Sequence, residues 1–241
     1  MRHWQSIFSL VLLMVSALPS VAAAVQQKDQ AAVVPPVNLR LSYENRSIGH
    51  DGIIRDSRYT DLMYRRTDRV WIERELPANL RASQAHGHDA HDSPHAGHAH
   101  SEAQGAPLLI TRDAATGKVT VQVVLDELHR VIDVELAHYG NVGYGGSWSA
   151  AYWLIDPTAL SRMEKQGAVQ DGVQHYLLQK GERTVKVAWD VAGQYARSIE
   201  QRDSHDTSVQ RMTATPFNDP QILPWQKLTD YQRGDYSDLL D

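Results

Sequence analysis

From Gln174 to Ala214 the chain is a succession of short β-prone runs: Gln174 to Gln179, Thr184 to Asp190, Ala196 to Gln201 and Ser208 to Ala214. Turn residues cut them at Lys180-Gly181, at Ala192-Gly193 and between Asp203 and Asp206. Runs of this length, closed by turns this short, can only fold back on one another, so this part of the chain reads as a serial antiparallel meander.

The same signature recurs upstream. Asn38 to Ile48, Ser57 to Tyr64 and Arg69 to Leu76 are rich in β-branched residues, Tyr and Trp, and are separated by His50-Asp51-Gly52 and by the polar stretch Arg65 to Asp68. In the third run Val70, Ile72 and Leu76 alternate with Trp71 and Glu73, which gives one apolar face and one that carries charge beside an aromatic. Leu108 to Thr111 and Lys118 to Val124 flank Asp113 to Gly117 as a further hairpin. Val124 to His138 allows two readings: Leu125, Leu128, Ile132 and Leu136 suit a helix, whereas Val119, Val121 and Val123 before it and Val131, Asp133 and Glu135 within it suit two strands broken at Asp126-Glu127. Gly140 to Ser147 reads as a glycine-rich excursion between strands. Trp148 to Ile155 reads as a strand, Pro157 opens a helix continued by Thr158 to Lys165 and ended by Gly167, and Pro224 to Asp241 reads as a short helix with an acidic tail. The expected fold is mainly β (α+β): a curved antiparallel sheet or half-open β-barrel with one or two short helices and a long disordered His-rich loop.

Residues 1–24 have the three parts of a secretory signal: a basic start at Arg2, an apolar run from Ile7 to Leu18, and small residues at Ala22 and Ala24. Cleavage near Ala24 leaves 241 − 24 = 217 residues and takes Lys+Arg from 24 to 23 against 29 acids, so the formal charge goes from -5 to -6. That balance argues against a nucleic-acid partner. The apolar run falls short of the ~20 residues a membrane span needs, so no integral membrane span is expected. With no cysteine, an exported chain has neither disulfides nor thiolate ligands, which fits a periplasmic or secreted protein and disfavours an iron-sulfur cluster. The expected organisation is a signal peptide over 1–24, an extended leader over 25–36 ending in Pro35-Pro36, and one β-rich domain over 37–241 interrupted by a flexible insertion over 78–106.

That insertion holds the densest chemistry in the chain. Between Gln84 and Glu102 it places six of the twelve histidines, His86, His88, His91, His95, His98 and His100, among Gly, Ala, Ser and Pro, with Asp89 and Asp92 beside them. Imidazole is the commonest protein ligand for borderline divalent metals, and nothing apolar here would draw the rings into a core. Without thiolates the suitable ions are Zn(II), Cu(II) and Ni(II). A segment that must fold around its ion loses chain entropy in doing so, which predicts several exchangeable sites of moderate affinity. The bland reading is a solvated linker.

Many antiparallel strands, one mid-chain helix after a Trp-Leu-Ile-Asp-Pro corner (Trp153 to Pro157), and the phrase Tyr64-Arg65-Arg66-Thr67-Asp68-Arg69-Val70-Trp71-Ile72-Glu73 resemble the outer-membrane lipoprotein carrier superfamily. The phrase looks like that family's strand, charged turn, strand unit. The resemblance implies an incomplete β-barrel whose concave apolar face is closed by helices and takes an acyl chain or another apolar ligand. The chain departs from the family where Pro35-Pro36 stands in place of a long amino-terminal helix, and no functional residue is carried over.

Elsewhere the motifs are thin. Asp126 with His129 and Glu135 with His138 put an acid three residues before a histidine, but a di-metal carboxylate site needs such pairs on separate helices. Gly140 to Ser147 lacks the pattern of a phosphate cradle, and there is no G-x-S-x-G or H-E-x-x-H. The sequence therefore reads as an exported binding protein without turnover: one that captures, buffers or delivers a divalent metal through the His loop, or alternatively a carrier or chaperone for an apolar ligand on a sheet face containing Trp71, Trp153 and Trp189. Another exported protein remains an alternative partner.

Overall fold

The computed structural model describes residues 34–76 and 105–239. The expected signal segment, the six tract histidines, Asp89 and Asp92 lie outside them. The strands are β1 (Val37–Ile48), β2 (Ile54–Arg66), β3 (Arg69–Arg74), β4 (Leu108–Arg112), β5 (Val119–Leu125), β6 (Arg130–Val134), β7 (Glu164–Gln170), β8 (Val173–Lys180), β9 (Arg183–Asp190), β10 (Tyr195–Asp203), β11 (Ser208–Phe217) and β12 (Gln232–Asp235). All twelve form one open sheet in the order β12-β6-β5-β4-β3-β2-β1-β11-β10-β9-β8-β7. Every pairing is antiparallel except that of β12, which lies parallel to β6. Two meanders are thus joined where β1 meets β11, with Leu41 opposite Ala214. Because β3 pairs with β4, the chain between them, which includes the His tract, connects neighbouring strands.

Side chains alternate between faces along each strand, and the register aligns the apolar set. Leu39 and Met63 face each other on one side, and Val70, Ile110, Val121 and Val134 continue that side across the next strands. Leu39, Met63, Val70, Ile110, Val121, Val123 and Ile132 are fully buried, and each contributes roughly 1.5–3 kcal/mol of hydrophobic stabilisation. The opposite face has a smaller cluster of Tyr64, Trp71, Leu109, Val124 and Val131, closed by Leu228 of the 3-10 helix Pro224–Asp230. Val124 to His138 resolves as two strands turning at Asp126 to His129; His129 takes a left-handed φ of 49° there.

Several sequence expectations are overturned. Trp148 to Ile155 is not a strand: Trp148–Trp153 is a helix, α1, capped by the Ser147 hydroxyl, which accepts from the Ala150 N–H at 3.2 Å. Trp148 and Tyr152 are buried four residues apart, so the aromatic content that favours strands is here arranged with helical period. The helix at Pro157 does not run to Lys165. It is the single turn Pro157–Leu160, α2, capped by Asp156, and Glu164 and Lys165 pair instead with Leu177 and Tyr176 in β8. Gly167 breaks the β7 register where a helix stop was expected. The Gly140 to Ser147 segment leads from a 3-10 helix (Leu136–Val142) into α1 and so is no strand-to-strand excursion. The carboxyl-terminal region is a 3-10 helix, β12 and a second 3-10 turn (Tyr236–Leu239). Among the described residues no helix is long and apolar enough to cross a membrane.

Candidate functional site

The covered face is not covered along its whole length. The 3-10 segment and α1 pack on this face, α1 against β3 and β10, with Val142, Tyr144, Trp148 and Tyr152 entering the main core. Beyond α1 the long strands β1, β2, β10 and β11 continue, and a groove of about 470 Å³ opens between them and the helix. Its floor includes Leu41, Tyr43, Tyr59, Ile72, Ile199 and Met212, and α1 with its cap supplies Ala151 and Leu154 as the wall. Leu154 is held in the left-handed region at φ 67°, which ends α1 beside the groove.

Register sets the tyrosine floor of this groove and the ion pair beside it. Tyr43 stands opposite Tyr59, and the two rings stack at 4.6 Å. One rung inward Asp61 stands opposite Arg74, whose Nε donates to the Asp61 Oδ1 at 2.6 Å, and the Arg74 guanidinium lies 4.1 Å from the Tyr59 ring centre. Burial pushes the Asp61 carboxyl above its usual range, against the opposing pull of Arg74. Burial, then the Asp61 charge, pushes the Tyr43 hydroxyl up as well. The phenol therefore stays neutral at any physiological pH and acts as a hydrogen-bonding, stacking surface. A second hollow of about 490 Å³, lined by Tyr43, Tyr59, Arg74, Glu75 and Leu76, shares the tyrosine pair and sits where β3 ends.

The three tryptophans named from sequence separate. Trp153 and Trp189 are half-buried against the main core, whereas Trp71 belongs to the cluster on the other face and donates from Nε1 to Glu73 at 2.8 Å. None of them lines the groove. Of the isolated histidines, His138 stacks on Tyr236 at 4.1 Å, His129 lies 5.1 Å from Tyr231, and His205 meets the Ser204 hydroxyl at 3.0 Å. Among the described residues no group of three or more His, Cys, Asp or Glu is placed to hold a metal. Sequence reasoning missed Tyr43, Tyr59, Asp61 and Arg74; the signals available were the β1–β2 turn, from which the Tyr43–Tyr59 pairing follows, and the β2–β3 turn, from which the Asp61–Arg74 pairing follows.

No family model matches this chain, and no curated protein matches it. Among solved structures it is similar to PNGF-II, at 13% identity and a TM-score of 0.35, over 84% of this chain and 33% of that one, so it spans about a third of that protein. It is similar to a LolA superfamily protein from Nitrosomonas europaea at 11% identity and a TM-score of 0.35, covering 82% and 91% of the two chains. A putative outer membrane lipoprotein-sorting protein domain from Vibrio parahaemolyticus matches at 9% identity and a TM-score of 0.32, covering 80% and 89%.

Proposed function

We propose that this protein binds an apolar chain in the groove beside α1 and holds it without chemical turnover. The observation that carries this reading is an apolar sheet face that stays open next to a helix, about 470 Å³ in volume and continuous with the core through Leu41, Ile72 and Met212. Concave apolar sites with a few polar groups are where small ligands bind. The export signal over Met1 to Ala24 favours a periplasmic or secreted place of action. Filling the groove tests the reading: Ala151→Trp is expected to weaken binding of the apolar dye Nile red at least ~10-fold, ~1.4 kcal/mol, by placing an indole where the ligand lies. A folded variant, verified by circular dichroism, with wild-type dye affinity would remove it.

A second reading has its own support in the sequence. Six histidines within His86 to His100 suit capture of Zn(II), Cu(II) or Ni(II), and the segment departs from Leu76 at the edge of the second hollow. Calorimetric titration of the metal-stripped protein is expected to show binding that weakens as pH falls through ~6.5. The variant lacking Ala85 to His100 is expected to bind at least ~10-fold more weakly, since the imidazoles are the ligands. Equal binding by both proteins would reduce the tract to a linker.

A further inference from the structure

We infer that the groove takes an amphiphile whose head group is polar but uncharged, such as an ester, an amide or a polyol, held by a row of carboxamides across the sheet. The inference rests on the groove reading above and names the ligand class. Asn45 stands opposite Gln210, and Gln210 stands opposite Gln201. All three line the groove. Each lies two residues along its strand from a groove-floor residue (Tyr43, Met212, Ile199), hence on the same face and one rung further from α1. A ligand running out from under the helix meets an apolar rung first and an amide rung next.

The chemistry of that rung favours neutral groups. A carboxamide offers donors and an acceptor together. Asn45 uses its Nδ2 on the Ser57 hydroxyl at 3.2 Å, which leaves its carbonyl available, and among the described residues the Gln201 and Gln210 side chains make no hydrogen bond. The charged groups around the groove are already matched. Arg74 is paired with Asp61 at 2.6 Å, and Arg211 is paired with Glu200 at 2.6 Å and lies 3.6 Å from Glu44. An anionic or cationic head would surrender hydration and meet no unpaired counter-charge, whereas a hydroxyl, ester or amide exchanges water for carboxamide at little cost.

The test is displacement of Nile red from the purified protein by three single-chain amphiphiles of equal chain length: monomyristoylglycerol, myristate and tetradecyltrimethylammonium. The neutral glyceride is expected to bind at least ~10-fold more tightly than either ion, the amount that two hydrogen bonds supply. In Gln201→Ala/Gln210→Ala the preference is expected to fall to within about twofold, with Asn45→Ala intermediate. Thermal unfolding of each variant distinguishes lost recognition from lost structure. Equal affinity for all three amphiphiles, or a preference that survives the double substitution, overturns the inference while leaving the groove reading in place. Absence of dye binding, with no effect of Ala151→Trp, overturns both.

Discussion

Arg65→Ala is expected to destabilise the protein by about 4 kcal/mol, the range for removing one member of a fully buried charged network. Arg65 is completely buried. Its Nη1 donates to the carbonyls of Tyr152 (3.2 Å) and Gln194 (2.8 Å), and its Nη2 to those of Pro35 (3.0 Å) and Gly193 (2.6 Å). The guanidinium also lies 5.1 Å from the centre of the Tyr152 ring. One side chain therefore ties together the segment before β1, the end of α1 and the β9–β10 turn. Burial draws its pKa down to about 10, still far above neutral pH, so the charge is kept and four carbonyl dipoles stabilise it where an anion would otherwise stand. Truncation leaves those carbonyls unpaired around a cavity. Arg65→Lys is expected to cost about half as much, because an ammonium has three donors but no planar fork. Urea unfolding followed by tryptophan fluorescence measures both; a loss below ~1 kcal/mol for Arg65→Ala would mean that water replaces the guanidinium and that these carbonyls need no cation.

Arg65 also illustrates what the chain discloses and what it withholds. By pattern it opens the polar stretch Arg65 to Asp68, and its burial depends on carbonyls contributed from three distant segments, which no local window contains. The alternating apolar strands were legible because each face has a distinct environment, and a turn centred on Asp51 already implies that Tyr43 meets Tyr59 and therefore that the groove has an aromatic floor. β7 was invisible for the opposite reason: Glu164 to Gln170 is exposed throughout and exists through its pairing with β8, without an apolar face to announce it. α1 was misread because Trp and Tyr favour strands in general, whereas the Ser147 hydroxyl caps the segment locally and Trp148 and Tyr152 are buried at i, i+4 against the sheet. The amide row is likewise a product of register, since Asn45, Gln201 and Gln210 belong to three separate strands.

Asp190→Ala is expected to cost about 2 kcal/mol at neutral pH, chiefly because it leaves the half-buried Gly193 N–H without an acceptor, while the exposed Arg197 guanidinium turns to water. Asp190 accepts from the Gly193 N–H at 2.6 Å and from Arg197 Nε at 2.8 Å. Burial raises its carboxyl, but the hydrogen bonds from Gly193 and Arg197 outweigh that and hold it below the usual carboxylate range. A folded-state pKa lying under the unfolded value of ~3.9 means that the stabilisation is complete above that pH and disappears as pH falls through the folded value. Urea unfolding should therefore show the gap between wild type and Asp190→Ala intact at pH 7 and narrowing below about pH 4; a gap independent of pH would show that the carboxylate charge plays no part. Gly193 is bound on both sides, its N–H to Asp190 and its carbonyl to Arg65. No other residue fits there, since a Cβ would stand 2.4 Å from a carbon of the buried Tyr195 ring. Once either anchor is lost the loop has little left for the other to hold, so Arg65→Ala/Asp190→Ala is expected to fall short of the sum of the single losses by about 1 kcal/mol. Strict additivity would mean that the β9–β10 turn keeps its shape without them and that Arg65 acts chiefly through α1 and Pro35.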